Sequence, residues 1–387
     1  MQKSLPIFRY WPVLYLVVSI GFVIFSYTQV DLNLTLTAGN IWGNIQSYLQ
    51  HIGYFQRPLA TGLYLIFITL FYGLYIASLV LIKRGALRSR QIILTVLIVC
   101  LCLIFAYPAF SYDIFNYMFT AKTVLLYQKN PYLVTPLAFT GFDPWLSFLR
   151  WTHLVSAYTP LWILMTLPSY LFGFGKFFLI MFNFKLLMAS FYLLSVCCLW
   201  YAFKNIQPRQ VLFNTAVFAL NPLVLIESVF SPHNDIAMVA FFCLSFWLYT
   251  RRAQMLSVLA LSVSVAIKLM TVFVFPAYFY KWSRKSVLFF MCLAMLVGFI
   301  RKELLPWYFL WIMPAVSINA QTRVVLFLST LFSLALLVRY IPILYFGEYS
   351  RIALISRDGL TVLVILVGII VYACVTSRIK PQKSTQN

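Results

Sequence analysis

The run Ser111-Tyr112-Asp113-Ile114-Phe115-Asn116-Tyr117 sets one carboxylate among aromatic and amide side chains. On a helix, Asp113, Asn116, Tyr117 and Thr120 fall at i, i+3, i+4 and i+7 and share a face. A carboxylate on such a face can take a proton from a hydroxyl, and its neighbours can hold a sugar. The plainer alternative is that Asp113 or Ser111 only caps a helix start. A second group comprises Asn221-Pro222-Leu223, Glu227 and Ser231-Pro232-His233-Asn234-Asp235. Asp235 reads either as a site residue or as the cap of the next helix, whereas Glu227, in an apolar run, needs a partner. His233 can carry a proton or donate to a phosphate; alone, it reads equally as a satisfied polar side chain.

Lys268 stands in the apolar stretch 255–280. A lysine near the centre of a membrane span costs on the order of 2.5–3.5 kcal/mol. It therefore faces a cavity or an anion, unless its stem carries the charge to the interface. Arg301 and Lys302, just before Leu305-Pro306-Trp307-Tyr308, add positive charge and two aromatic rings. Tyr132, in Lys129-Asn130-Pro131-Tyr132, is an aromatic beside a charge, suited to sugar stacking or to anchoring at a membrane interface.

The elements that must position these residues are read from hydropathy. The chain has 387 residues, 63% hydrophobic and 10% charged, with a mean hydropathy of +0.91. Apolar runs near the ~20 residues a helix needs to cross ~30 Å of hydrocarbon recur along it. They predict an all-α, polytopic helical membrane protein with about twelve spans, near 11–28, 61–82, 91–107, 178–202, 211–228, 236–250, 254–267, 269–280, 286–300, 306–319, 324–344 and 359–376. The segment 160–174 is too short to cross and is expected as an interfacial helix in a long outer loop, 108–177. The stretch 255–280 is expected to break near Lys268 into two half-spans.

Basic clusters at Lys83/Arg84/Arg88/Arg90, Lys204/Arg209, Arg251/Arg252, Lys281/Arg284/Lys285 and Arg378/Lys380/Lys383 mark cytoplasmic loops, which puts both termini in the cytoplasm. All eight acidic residues (Asp31, Asp113, Asp143, Glu227, Asp235, Glu303, Glu348, Asp358) then fall in outer loops or outer span ends. Because acidic residues scarcely influence insertion, this one-sidedness is separate information, and it places any carboxylate chemistry on the outer face of the cell membrane.

Several function classes are disfavoured. The net charge of +21 comes in clusters between spans, so it is a topology signal and not a nucleic-acid footprint. The seven cysteines lie in apolar runs, which argues against disulfides and metal sites. There is no cytoplasmic D-x-D pair for a nucleotide sugar and no Gly-rich phosphate loop.

Taken in order, Asp113 with its following aromatics, Asn130-Pro131-Tyr132, Tyr158-Thr159-Pro160-Leu161, Asn221-Pro222-Leu223 with His233-Asn234-Asp235, Lys268 and Pro306-Trp307-Tyr308 resemble the GT-C superfamily of membrane glycosyltransferases. Within it, the pattern is similar to bacterial polyprenol-phosphate-mannose-dependent mannosyltransferases, over residues 109 to about 312. The resemblance implies an inverting transfer of a hexose, mannose first, from a polyprenyl-phosphate donor to an envelope glycan or glycolipid acceptor in contact with membrane lipid. It implies Asp113 as catalytic base and Lys268, His233 and Arg301 at the donor phosphate. Asn116, Tyr117, Tyr132, Asp235, Trp307 and Tyr308 are then expected around sugar or acceptor, and Lys185 matches a basic position that follows the interfacial segment. No cofactor is expected: Asn116 stands where distant relatives carry a second acid, which weakens the case for a divalent metal.

The chain is expected as one membrane domain, 1–387, with N-terminal spans in 1–90, a GT-C-like core in 91–312 and C-terminal spans in 313–387. Rival readings are a lipid-linked oligosaccharide flippase, whose ionisable groups line both leaflets, an O-antigen-type polymerase or ligase, and a structural membrane subunit.

Overall fold

The computed structural model describes residues 10–36, 39–301 and 303–378, except for the side chains of Arg301 and Arg378. The chain ends, whose cytoplasmic placement the basic residues predict, and Lys302 lie outside the described residues. Among the described residues every regular element is helical. In chain order the α-helices are α1 (Trp11–Ser26), α2 (Asn40–Phe55), α3 (Arg57–Lys83), α4 (Ser89–Leu103), α5 (Asp113–Leu125), α6 (Pro160–Leu171), α7 (Phe177–Ile206), α8 (Val211–Ala219), α9 (Pro222–Leu225), α10 (Asp235–Thr250), α11 (Gln254–Ile267), α12 (Arg284–Arg301), α13 (Met313–Ile318), α14 (Arg323–Val338), α15 (Tyr340–Phe346) and α16 (Arg351–Arg378).

Five helical segments are long and apolar enough to cross a membrane: Trp11–Gln29, Arg57–Lys83, Phe177–Ile206, Arg323–Phe346 and Arg351–Ser377. The pair Pro208–Ala219 and Pro222–Phe230, bent by 57°, makes a sixth if it is one broken span. The count of about twelve is not reached on this measure. Segments such as Asp235–Thr250, Gln254–Ile267 and Leu269–Tyr278 are apolar but have only 10–17 residues. At ~1.5 Å per residue they fall short of ~30 Å of hydrocarbon. The chain is a membrane protein that combines a few long apolar helices with several short ones.

Helix α2 lies between the expected spans 11–28 and 61–82, where the sequence reading placed no element. It is amphipathic, and its Gln46 side chain donates to the Leu34 carbonyl at 2.8 Å. Gly53 in α2 packs so tightly on α1's extension that a Cβ there would meet the Thr28 carbonyl oxygen at 1.7 Å.

Buried tyrosines on α3 fix the direction of its neighbours. Tyr64 donates to the Leu337 carbonyl and Tyr72 to the Ser333 hydroxyl, so α3 and α14 run antiparallel. Tyr75 donates to the Val217 carbonyl and Lys83 lies over the Phe213 ring, so α3 is also antiparallel to α8. Helices α7 and α10 are parallel, because Asn205 near the end of α7 donates to Thr250 at the end of α10, and Lys185 near the start of α7 donates to the Val229 and Phe230 carbonyls just before α10. It follows that Lys83, Lys204, Arg251 and Arg323 collect at one end of the bundle. Asp113, Glu227 and Asp235 collect at the other.

Candidate functional site

Asp113 is the first residue of α5, where a carboxylate is favoured by the helix dipole. Its backbone N–H donates to the Ser111 hydroxyl at 3.2 Å. The long loop after α5 is fastened to it by a buried latch: Lys122 on α5 donates to Asp143 at 2.9 Å, Tyr127 donates to the same carboxylate at 2.7 Å, and Lys122 sits 4.0 Å above the Trp145 ring. On the other flank, Tyr112 donates to Asp31 at 3.0 Å while Arg150 lies over the Tyr112 ring. These contacts hold the start of α5 in place and leave the Asp113 side chain 21% exposed.

Behind Asp113 lies His233, with a fully buried side chain. Its Nε2 stands 3.8 Å from Asp113 Oδ2 and its Nδ1 stands 3.1 Å from Glu227 Oε2. Although the second distance is within hydrogen-bonding range, neither ring nitrogen nor Glu227 Oε2 has an aligned hydrogen bond. The other oxygen of Glu227 accepts from the Tyr340 hydroxyl at 3.0 Å. Trp307 stacks on the imidazole with ring centroids 3.8 Å apart. Burial, and then the positive charge of Lys268, hold the basicity of His233 well below the usual imidazole range, so the ring is neutral at pH 7.

The local backbone explains how Glu227 comes to face His233. Asn221 accepts from the Leu223 N–H and Pro222 opens α9, so the chain bends away from α8 at this point. Residues Ile226–Phe230 then form a π-turn. A wide turn of this kind leaves carbonyls poorly paired, and Lys185 donates to two of them, those of Val229 and Phe230. Lys185 is buried and committed to this backbone, so it acts as a cap and not as an exposed cation.

Asp235 and Lys268 form the third part of the site. The ammonium donates to both carboxylate oxygens at 2.7 and 2.8 Å, and Trp311 donates its indole N–H to the same group. Asp235 is buried, but the Lys268 side chain is 27% exposed and lies 5.6 Å over Tyr308 and 5.7 Å over Trp311. The chain does break at Lys268: α11 ends at Ile267, Lys268 is extended, and a 3-10 helix, Leu269–Tyr278, follows. Thr159, at the start of α6, donates to the Ile267 carbonyl across this break.

The remaining residues named from the sequence occupy varied positions. Tyr117 is buried, accepts from the Asn234 N–H at 3.1 Å and packs edge-on against Tyr158 and Trp162. It supports the turn carrying His233 and has no open ring face. Asn116 meets the Tyr158 phenol, whose acidity is weakened by burial and then by Asp113. Tyr132 is half-exposed in the loop and donates to the Tyr158 carbonyl at 2.7 Å. Arg301 ends α12, and its side chain is outside the described residues.

One cluster at this end escaped the sequence reading. Arg339 and Arg357 are both nearly buried and share Glu303 and Asp358 as partners. Arg339 directly precedes Tyr340, so the ion pairs anchor the residue that holds Glu227. The signal available was the pair of acids, Glu303 and Asp358, each close to the membrane and needing a cation. Among the described residues no group of three or more His, Cys, Asp or Glu is arranged to hold a metal ion.

Residues 33–284, a stretch that includes Asp113, His233, Asp235 and Lys268, match the family model described as alpha-(1->6)-mannopyranosyltransferase, N-terminal domain. The chain belongs to this mannosyltransferase family. Trp307, Tyr308 and Tyr340 lie beyond the matched stretch. No curated protein and no solved structure matches the chain.

Proposed function

We propose that this mannosyltransferase takes its sugar from a polyprenyl-phosphate-mannose donor and passes it, with inversion, to a glycan or glycolipid acceptor on the outer face of the cell membrane. The observation that carries the reading is the convergence at one end of the bundle of a partly exposed carboxylate, Asp113, and a partly exposed cation, Lys268. Asp113 takes the proton of the acceptor hydroxyl as its oxygen attacks the anomeric carbon. The bond from that carbon to the phosphate oxygen breaks, and polyprenyl phosphate leaves with the bonding pair. Lys268 neutralises the charge that develops on it, so charge stabilisation is assigned to a side chain and needs no metal. Trp307 and Tyr132, both partly exposed, are assigned to sugar and acceptor, and Tyr308, buried beneath Lys268, backs the cation. Arg301 is kept as a second cation for the phosphate.

The family's description names an α-(1→6) linkage, which we extend to this chain as part of the proposal. Inversion giving an α product requires a donor in the β configuration. An outward-facing site and cytoplasmic termini are supported by the split between the ends of the bundle, carboxylates at one and Lys83, Lys204, Arg251 and Arg323 at the other. The same split disfavours a flippase, which needs ionisable groups along the whole path. We retain the division into N-terminal spans, 1–90, a core, 91–312, and C-terminal spans, 313–387, as the organising scheme.

The test is incubation of the purified protein with β-linked polyprenyl-phosphate mannose and a mannose-terminated acceptor, followed by product analysis. An α-linked product and free polyprenyl phosphate are expected. Consumption of a nucleotide sugar with the lipid donor untouched would overturn the proposal.

A further inference from the structure

Two buried polar side chains next to Asp113 have no role in the reaction as written. His233 and Glu227 are both fully buried, and three of their polar atoms lack aligned partners. A buried polar atom left without a partner destabilises the fold, so its retention calls for a reason. The arrangement is also directional, running from Tyr340 through Glu227 and His233 to Asp113, with Trp307 stacked along the imidazole to fix its plane.

We infer that His233 is a positioning residue for Asp113, kept by Glu227 in the tautomer that presents a lone pair on Nε2 to the catalytic carboxylate. This inference rests on the reading of Asp113 as the base. With the ring proton on Nδ1, 3.1 Å from Glu227 Oε2, Nε2 is left bare. While Asp113 is ionised, two acceptors face each other and no hydrogen bond forms, consistent with the 3.8 Å separation. Once Asp113 has taken the acceptor's proton, its O–H can donate to Nε2, and the two groups close to hydrogen-bonding distance. The proton stays on Asp113 until release, and the imidazole supplies only the acceptor. A hydrogen bond made to the protonated carboxyl and not to the carboxylate raises the affinity of Asp113 for that proton, which is what a base requires.

The charged and titratable groups facing this pair come from each packed element: Tyr117 on α5, Lys185 on α7, Asp235 on α10 and Lys268 after α11. Tyr308, Tyr340 and Tyr349 also face it, with Tyr158 beside Asp113 and Tyr64 beside Glu227, among the described residues. Lys185 is committed to carbonyls and Asp235 to Lys268, which leaves His233 as the bare acceptor nearest to Asp113 along this chain of contacts.

The experiment is the pH profile of kcat/KM for wild type, His233→Leu, His233→Gln and Glu227→Gln, with Asp113→Asn as reference. In His233→Leu, kcat is expected to fall about tenfold to a hundredfold with KM nearly unchanged. The acid limb should move to lower pH, because the protonated carboxyl has lost its acceptor. Glu227→Gln should move the limb the same way, since an amide N–H facing Nδ1 forces the ring proton onto Nε2. His233→Gln, which can place an amide oxygen near the Nε2 position, should recover part of the rate and part of the shift. An acid limb unmoved in both His233→Leu and Glu227→Gln would overturn the inference while leaving Asp113 as base. Should His233→Leu fail to fold, Glu227→Gln and His233→Gln carry the test alone. Activity retained in Asp113→Asn would instead remove the reading on which the inference rests.

Discussion

Lys268 reaches both carboxylate oxygens of Asp235, at 2.7 and 2.8 Å, and by doing so ties the break after α11 to the first residue of α10. One partner is buried and the other is partly open, so the pair can anchor a cation without hiding it. Such a pair suits the leaving phosphate of the proposed reaction: a positive charge held in place, backed by the rings of Tyr308 and Trp311, and partly exposed.

Replacing Lys268 by Met should raise the KM for the lipid donor at least tenfold and lower kcat, with acceptor KM little changed. It also strands a buried Asp235, at a stability cost of about 1–3 kcal/mol after allowing for the exposure of the lysine. Lys268→Arg should restore the fold and part of the donor affinity. Initial rates over a matrix of donor and acceptor concentrations check this, and an unchanged donor KM would return Lys268 to a structural role.

The latch between Lys122 and Asp143 is predicted to hold the long loop and not to act in chemistry. In Lys122→Met the buried Asp143 loses its counter-charge, which costs about 3–5 kcal/mol. The double variant Lys122→Met with Asp143→Asn removes both charges and should be the more stable of the two. Thermal unfolding in detergent, followed by tryptophan fluorescence, compares them; a double variant less stable than the single one contradicts the prediction.

Much of this arrangement was legible in the sequence. Asp113, His233, Asp235 and Lys268 are polar residues in apolar surroundings, and a polar group there needs a reason. The break at Lys268 was readable because a lysine between two apolar runs does not sit at the centre of a continuous span. Other features were not legible, each for a physical reason. Helix α2 is amphipathic with moderate hydropathy, so a search for apolar runs passes over it. The count of about twelve spans is not confirmed, because several of the apolar runs form helices of only 10–17 residues. The inward role of Lys185 depends on the π-turn at Ile226–Phe230, and that of Tyr117 on the Asn234 N–H it accepts from, which no periodicity announces.

Loss of Lys185 should therefore act on stability first. Lys185→Met leaves the Val229 and Phe230 carbonyls without their donor, at about 1–3 kcal/mol, and loosens the turn that carries Glu227. The expected outcome is a lower unfolding temperature and a reduced kcat with donor KM preserved. A selective rise in donor KM at unchanged stability would instead make Lys185 a phosphate ligand.

The stability of the fold should also report the buried imidazole. The basicity of His233 is depressed in the folded protein, while the unfolded chain titrates near 6.5. Below that pH the unfolded state binds the proton first, so stability falls as pH drops, by up to about 1.4 kcal/mol per unit from this group. Wild type should lose more stability between pH 6.5 and 5 than His233→Gln does. Parallel loss in the two proteins would show that the imidazole is not depressed.

The central claim is that Asp113 is the base. Its most direct test is the rate of mannosyl transfer by purified Asp113→Asn, with polyprenyl-phosphate mannose as donor, beside a thermal unfolding curve of the same sample. The mechanism predicts a loss of at least a hundredfold in kcat with folding and donor binding intact; a folded Asp113→Asn protein that turns over at near the wild-type rate would contradict it.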